Sequence, residues 1–104
     1  MKIITVCGSL KYKEEIMKIT EEMGLKGNCM LSIVYPTKSD LSMYSKEQLI
    51  ILKEMHKERI RISDAILVVD IYDYIGDSTK NEIEFAESLN KEVIYYSNLS
   101  KEIK

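Results

Sequence analysis

The run Ala65-Ile66-Leu67-Val68-Val69 limits the possible folds of this chain more than any other stretch. Five consecutive apolar residues without polar alternation suit a strand covered on both faces, and such strands occur in parallel sheets with helices on each side. At Asp70 the chain turns polar and enters a loop containing Gly76. Ser78 or Thr79 is then expected to cap a helix reaching about Leu89, with Glu82 and Glu84 in its first turns and Asn90 in the left-handed position after it. In an open α/β sheet, ligands bind where the chain leaves the carboxyl end of a central strand.

The remaining chain follows the same alternation. Ile3-Ile4-Thr5-Val6-Cys7 reads as a first strand ending at Gly8, with Ser9 as the cap of a helix from about Tyr12 to Met23. Ile16, Ile19 and Met23 form that helix's buried stripe, and Gly24 is expected to stop it. Cys29 to Val34 reads as a second strand closed by Tyr35 and Pro36. Ser45 and Gln48 form a capping box for a helix to about Ile62, whose apolar face is assigned to Leu49, Leu52, Met55 and Ile60. Val93 to Tyr96 is the fourth strand, and Leu99 to Lys104 a frayed tail or partial helix. Four strands alternating with helices, with room for a fifth, predict one flavodoxin-like, three-layer α/β domain over residues 1–104 with strand order 2-1-3-4. That order makes the turn Gly8-Ser9-Leu10 face the loop from Asp70 to Ser78 across one crevice.

Composition excludes some partners. A formal charge of −2 gives no basic field, so neither duplex nucleic acid nor an anionic membrane is an expected partner. No apolar run approaches a membrane span. Cys7 and Cys29 lie in apolar runs with no pairing pattern, and no signal peptide is expected. They are expected to pack as small hydrophobes in a reducing cytoplasm. One His and no CxxC leave no evident metal-ligand set, and no cofactor is expected.

Each motif with chemical potential also has a structural reading. Gly8-Ser9 before a helix offers free backbone N–H groups to an anion, or simply caps the helix, and Lys11 and Lys13 either add positive charge or are solvated surface. Glu82 and Glu84, two residues apart, point to different sides of their helix, so at most one addresses the crevice. His56, in line with Leu49, Leu52 and Ile60, is either a hydrogen-bonded core histidine or a general acid or sugar partner that titrates near working pH. Tyr72, Tyr74, Tyr95 and Tyr96 are expected to gather at the carboxyl ends of strands three and four, where they would stack on a flat base or pack against a second subunit.

Three stretches together resemble the nucleoside 2-deoxyribosyltransferases and the related 2′-deoxynucleoside 5′-phosphate N-hydrolases. They are Val6-Cys7-Gly8-Ser9-Leu10, Ser63-Asp64-Ala65-Ile66-Leu67-Val68-Val69, and Asn81-Glu82-Ile83-Glu84-Phe85-Ala86 with Asn90-Lys91. The resemblance implies a catalytic glutamate at Glu82, and a glycine of the family pattern falls on Glu84. It implies that Ser9 meets the 5′ end of the substrate and that Ser78 and Thr79 line the loop opposite; Gly8, Tyr12, Asp70, Tyr74 and Gly76 complete the expected substrate-binding set. The family's sugar-holding acid falls on His56 and its first-strand tyrosine on Thr5.

The activity implied is cleavage or transfer of the N-glycosidic bond of a (deoxy)nucleoside or its 5′-monophosphate, with Glu82 as nucleophile and His56 in the lost acid's role. The alternatives are a non-catalytic nucleotide-binding module using the same crevice, and an assembly protein with no ligand there. A homodimer is expected in each case.

Overall fold

The computed structural model describes residues 1–102, and their side chains up to Leu99. The expected tail lies partly outside them, at Ile103 and Lys104. The elements are β1 (Ile3–Cys7), α1 (Lys13–Leu25), β2 (Cys29–Leu31), α2 (Lys46–Ile62), β3 (Ala65–Val68), α3 (Asp77–Ser88), β4 (Glu92–Tyr95) and α4 (Tyr96–Glu102). Single 3₁₀ turns stand at Leu10–Tyr12, Leu41–Met43 and Ile71–Asp73.

All strand pairs are parallel, in the order β2-β1-β3-β4. The order and the helix-covered sheet agree with expectation, and among the described residues the sheet has four strands. β3 lies between β1 and β4, so its residues lose water on both faces: Ala65 to Val68 are 0% exposed. Full burial of a large aliphatic side chain of this kind stabilises by roughly 1.5–3 kcal/mol.

The two-residue period of the strands sorts the core into two layers. Ile4, Val6, Ala65, Leu67 and Val69 pack beneath Ile16, Ile19 and Met23 of α1. Cys7, Ile66 and Val68 face the other way and pack with Ile60 of α2 and Ile83 and Ala86 of α3. This parity positions the site, because it turns Cys7 away from α1 and toward α2 and α3.

Local signals account for most boundaries. Ser45 and Gln48 make the reciprocal capping box on α2, and Asn90 takes φ 59 after α3. Others shift. Ser9 accepts from the Lys11 N–H and caps the 3₁₀ turn, so α1 begins at Lys13. Gly24 does not stop α1; the helix continues to Leu25, and the left-handed turn falls on Gly27, φ 101. The N-cap of α3 is Gly76, with no side-chain bond, rather than Ser78 or Thr79, which lie inside the helix. β2 ends at Leu31, and Ser32 to Val34 leave the sheet. Cys29 is exposed at this edge strand, so only Cys7 is a packing cysteine. Met55 is 41% exposed and does not belong to the buried face of α2.

Candidate functional site

β1 and β3 are adjacent, yet their following helices lie on opposite faces of the sheet, so the segments leaving their carboxyl ends diverge. On the α2 and α3 side, a crevice of about 560 Å³ opens beside them. Gly8 and Ser9 form one wall, and Gly76, Ser78 and Thr79 at the start of α3 form the other. His56 and Glu82 line it from α2 and α3, while Ile33, Val34, Pro36, Leu41, Leu49 and Leu52 supply an apolar flank. Gly8 sits at a close approach: a Cβ there would stand 3.0 Å from Ile16 Cδ1 and 3.3 Å from Val69 Cβ, so these neighbours would have to give.

His56 and Glu82, which line the crevice, meet a third polar side chain, the buried Cys7 of β1. His56 Nε2 lies 3.5 Å from Cys7 Sγ and 3.8 Å from Glu82 Oε1. On its other edge, His56 Nδ1 is 3.1 Å from Arg59 Nη1, one turn further along α2. His56 and Cys7 are buried and Glu82 is half-buried, with its side chain 26% exposed.

Burial decides the charge states. Glu82 is pushed up to about 7, chiefly by loss of water, although the Cys7 thiol and the Lys53 charge both act to lower it. His56 is pushed down to about 4, first by burial and then by the Arg59 charge, with the Val6 carbonyl acting the other way. Burial, followed by the neighbouring carboxylate, raises the Cys7 thiol. The 3.8 Å imidazole–carboxylate contact has ion-pair spacing. The desolvation cost on both partners exceeds their attraction at this distance, so near neutral pH it is a contact between neutral imidazole and a partly ionised carboxyl.

These three groups also gather their ligand atoms within 4.8 Å, a juxtaposition that sequence spacing did not anticipate. A cation bound there would need the Nε2 lone pair, leaving the ring proton on Nδ1 against a guanidinium that only donates. It would also need an ionised thiolate where burial opposes one. The donor set is better matched to a thiol, imidazole and carboxyl network than to a metal ion.

Of the residues expected at the site, Gly8, Ser9, His56, Tyr74, Gly76, Ser78, Thr79 and Glu82 line the crevice. Glu84 is exposed on another side of α3. Two are elsewhere. Tyr12 packs against Tyr72 and Tyr74, with ring centroids 5.4 and 5.9 Å away, and does not line the crevice. Asp70 faces the α4 side: its Oδ1 accepts from the Ser97 N–H at 2.8 Å and its Oδ2 from the Ser97 hydroxyl at 2.7 Å. The chain has left the strand at Val68, so strand parity no longer governs Asp70. The tyrosines do not form one cluster, because Tyr95 packs on the α2 and α3 layer and Tyr96 on the α1 layer. Thr5, in the position of the family tyrosine, bonds Ser63 at 2.6 Å and ties β1 to the end of α2.

Several neighbours of the site were not expected. The contact of buried Cys7 with His56 was readable only from strand parity, and the lining residues Lys53 and Arg59 from their helical spacing of three from His56. The flank from Ile33 to Leu41 has no periodic signal. Lys11, Lys53, Lys57 and Arg59 together give the crevice four cations against Asp77 and Glu82. Among the described residues, no helix is long and apolar enough to cross a membrane.

No protein-family model and no curated protein matches the sequence. Among solved structures, a 2-desoxiribosyltransferase from Leishmania mexicana is similar, with TM-score 0.66 and 16% identity over 91% of this chain and 63% of that one. This chain therefore spans less than two thirds of that protein's length, and what the two share is the parallel α/β fold.

Proposed function

We propose that this chain cleaves or transfers the N-glycosidic bond of a (deoxy)nucleoside or its 5′-monophosphate, as a distant relative of the nucleoside 2-deoxyribosyltransferases. The observation that carries the reading is the convergence of Glu82 and His56, 3.8 Å apart, in the crevice beside the Gly8-Ser9 turn. The fold likeness and the three sequence stretches support it. The four lining cations support an anionic group on the ligand.

Burial supplies the chemical logic. A carboxylate raised to about 7 lacks adequate compensation in the free protein, and an anomeric carbon developing positive charge would supply it in the transition state. Glu82 Oε bonds to C1′ as the C1′–N bond breaks, the bonding pair leaves on the base nitrogen, and the base takes a proton from solvent. Water then attacks C1′ of the glycosyl ester, giving free sugar, returning the carboxylate and releasing a proton to solvent, or the nitrogen of a second base displaces the ester and loses its proton instead. His56 holds the carboxylate or a sugar hydroxyl through its ring N–H.

The test is incubation with the common deoxynucleosides and their 5′-monophosphates, following free base by chromatography. Base release that disappears in Glu82→Ala supports the reading. Absence of release from every substrate, or equal release by Glu82→Ala, overturns it. A second reading, a nucleotide-binding module without turnover, is favoured by His56 standing where the resemblance implies an acid. Thermal stabilisation by nucleotides without base release would select it; at 100 times Kd a ligand adds about 2.7 kcal/mol.

A homodimer is part of the proposal. Ile51, Met55 and Ile62 form one stripe of α2 and are 57%, 41% and 58% exposed. Apolar surface of this kind on a short chain suits self-association. Light scattering that gives a monomer at micromolar concentration overturns this part.

A further inference from the structure

We propose that Arg59 is a positioning residue: by donating to His56 Nδ1 it fixes the imidazole in its Nε2–H tautomer, so that the ring offers Glu82 a donor and never an acceptor. Only the catalytic consequence rests on Glu82 being the reacting carboxylate; the tautomer itself does not.

A guanidinium carries donors alone, so the 3.1 Å contact from Arg59 Nη1 to Nδ1 is a hydrogen bond only when Nδ1 holds its lone pair. In a neutral ring the proton must then sit on Nε2. That nitrogen is directed at the crevice, 3.5 Å from Cys7 Sγ and 3.8 Å from Glu82 Oε1. Spacing of three on α2 keeps the Arg59 and His56 side chains together without help from another element. The groups facing the imidazole are the Cys7 thiol and the Val6 carbonyl from β1, Arg59 from its own helix and Glu82 from α3, and Lys53 acts on Glu82 from α2. The guanidinium also helps burial to keep the ring neutral.

The opposite tautomer would alter the reaction. An Nε2 lone pair facing the Glu82 carboxyl across 3.8 Å would favour its protonated, unreactive form. With the proton on Nε2, the ring can only donate. It then orients the ionised carboxylate that must reach C1′.

His56 is the single histidine of the chain, so ring ¹⁵N spectra of uniformly labelled protein report it without ambiguity. At pH 7.5 the expected wild-type spectrum has a protonated Nε2 and an unprotonated Nδ1. Arg59→Met should populate the other tautomer and raise the His56 titration midpoint, and Arg59→Lys should restore part of the wild-type pattern. If substrate is found, Arg59→Met should lower kcat for base release on the order of 10–100-fold with KM changed less. A wild-type spectrum with the proton on Nδ1 overturns the proposal and needs no variant, so a misfolded Arg59→Met leaves it testable. Unchanged tautomer and titration in a folded Arg59→Met also overturn it. The expected spectra without base release from any substrate would instead overturn the glycosidic reading and leave Arg59's role standing.

Discussion

Two acidic residues sit near the carboxyl end of β3, and they have been treated oppositely by the fold. Asp70 is 8% exposed, and each of its oxygens accepts a hydrogen bond from Ser97, one from the backbone and one from the hydroxyl. Glu82 is half-buried among apolar neighbours, a neutral imidazole and a thiol, and it is pushed up to about 7. Asp70 joins the loop after β3 to the first turn of α4 and completes a structural contact. Glu82 has lost water without gaining equivalent partners, and an acid left in that condition beside a crevice is poised to react with something that compensates its charge. The difference separates a carboxylate that stabilises from one that costs stability.

The largest expected effect is on turnover. Glu82→Gln should reduce base release on the order of 10³-fold or more, because the amide cannot form the glycosyl ester. The same change should leave the melting temperature at pH 8 unchanged or higher, since it removes a poorly compensated charge. A large fall in stability together with the loss of activity would place Glu82 in the same class as Asp70 and break the comparison.

Asp70→Ala should behave in the reverse way. It removes two charge-assisted hydrogen bonds and leaves the buried end of the Ser97 contact to be resolvated, a loss of about 1–3 kcal/mol by urea denaturation. Base release per folded molecule should change little. A selective loss of activity at full stability would return Asp70 to the site, where the sequence had assigned it.

The placement of Asp70 against Ser97 shows where the sequence was readable and where it was not. β3 declared itself by five apolar residues, and the alternation of strands with helices pointed to the parallel sheet, its order and a crevice between the Gly8-Ser9-Leu10 turn and the loop from Asp70 to Ser78. Residues two apart on a helix diverge, so at most one of Glu82 and Glu84 could address the crevice; the spacing did not say which, the resemblance pointed to Glu82, and Glu84 is the exposed one. Asp70 was not separable, since one residue beyond the strand the backbone turns and side-chain parity fails. Cys7 was read as core, which its 0% exposure supports, but its contact with His56 depends on which strand face meets α2. The apolar flank from Ile33 to Leu41 carries no period, so nothing local indicated that it lines the crevice.

Gly8 lies between the two regions and should show a smaller effect on both. A methyl group there meets Ile16 Cδ1 at 3.0 Å, which can yield, and Val69 Cβ at 3.3 Å, which is fixed to the backbone of the chain leaving β3. Gly8→Ala should therefore cost roughly 1 kcal/mol of stability in urea and also reduce turnover, by moving the wall opposite Ser78. A neutral result on both measurements would mean that the turn tolerates side chains and does not set the width of the crevice.

The smallest effect, and the sharpest separation of the two acids, is in pH dependence. Glu82's pKa is raised by folding, so its contribution to stability is fully present below about 4.5 and is lost as pH rises through about 7. His56's pKa is lowered, so its contribution is present above about 6.5 and is lost as pH falls through about 4. Between about 4.5 and 6.5 the two oppose each other and little net change is expected from them. From about 6.5 to 8 only Glu82 still changes, and the melting temperature of the wild type should decline there relative to Glu82→Gln. Asp70→Ala should keep that decline, because Glu82 remains to titrate. If wild type and Glu82→Gln instead run parallel across this window, the carboxyl is no more desolvated than an ordinary surface acid, and the argument that its burial prepares it for an electrophilic carbon loses its physical basis.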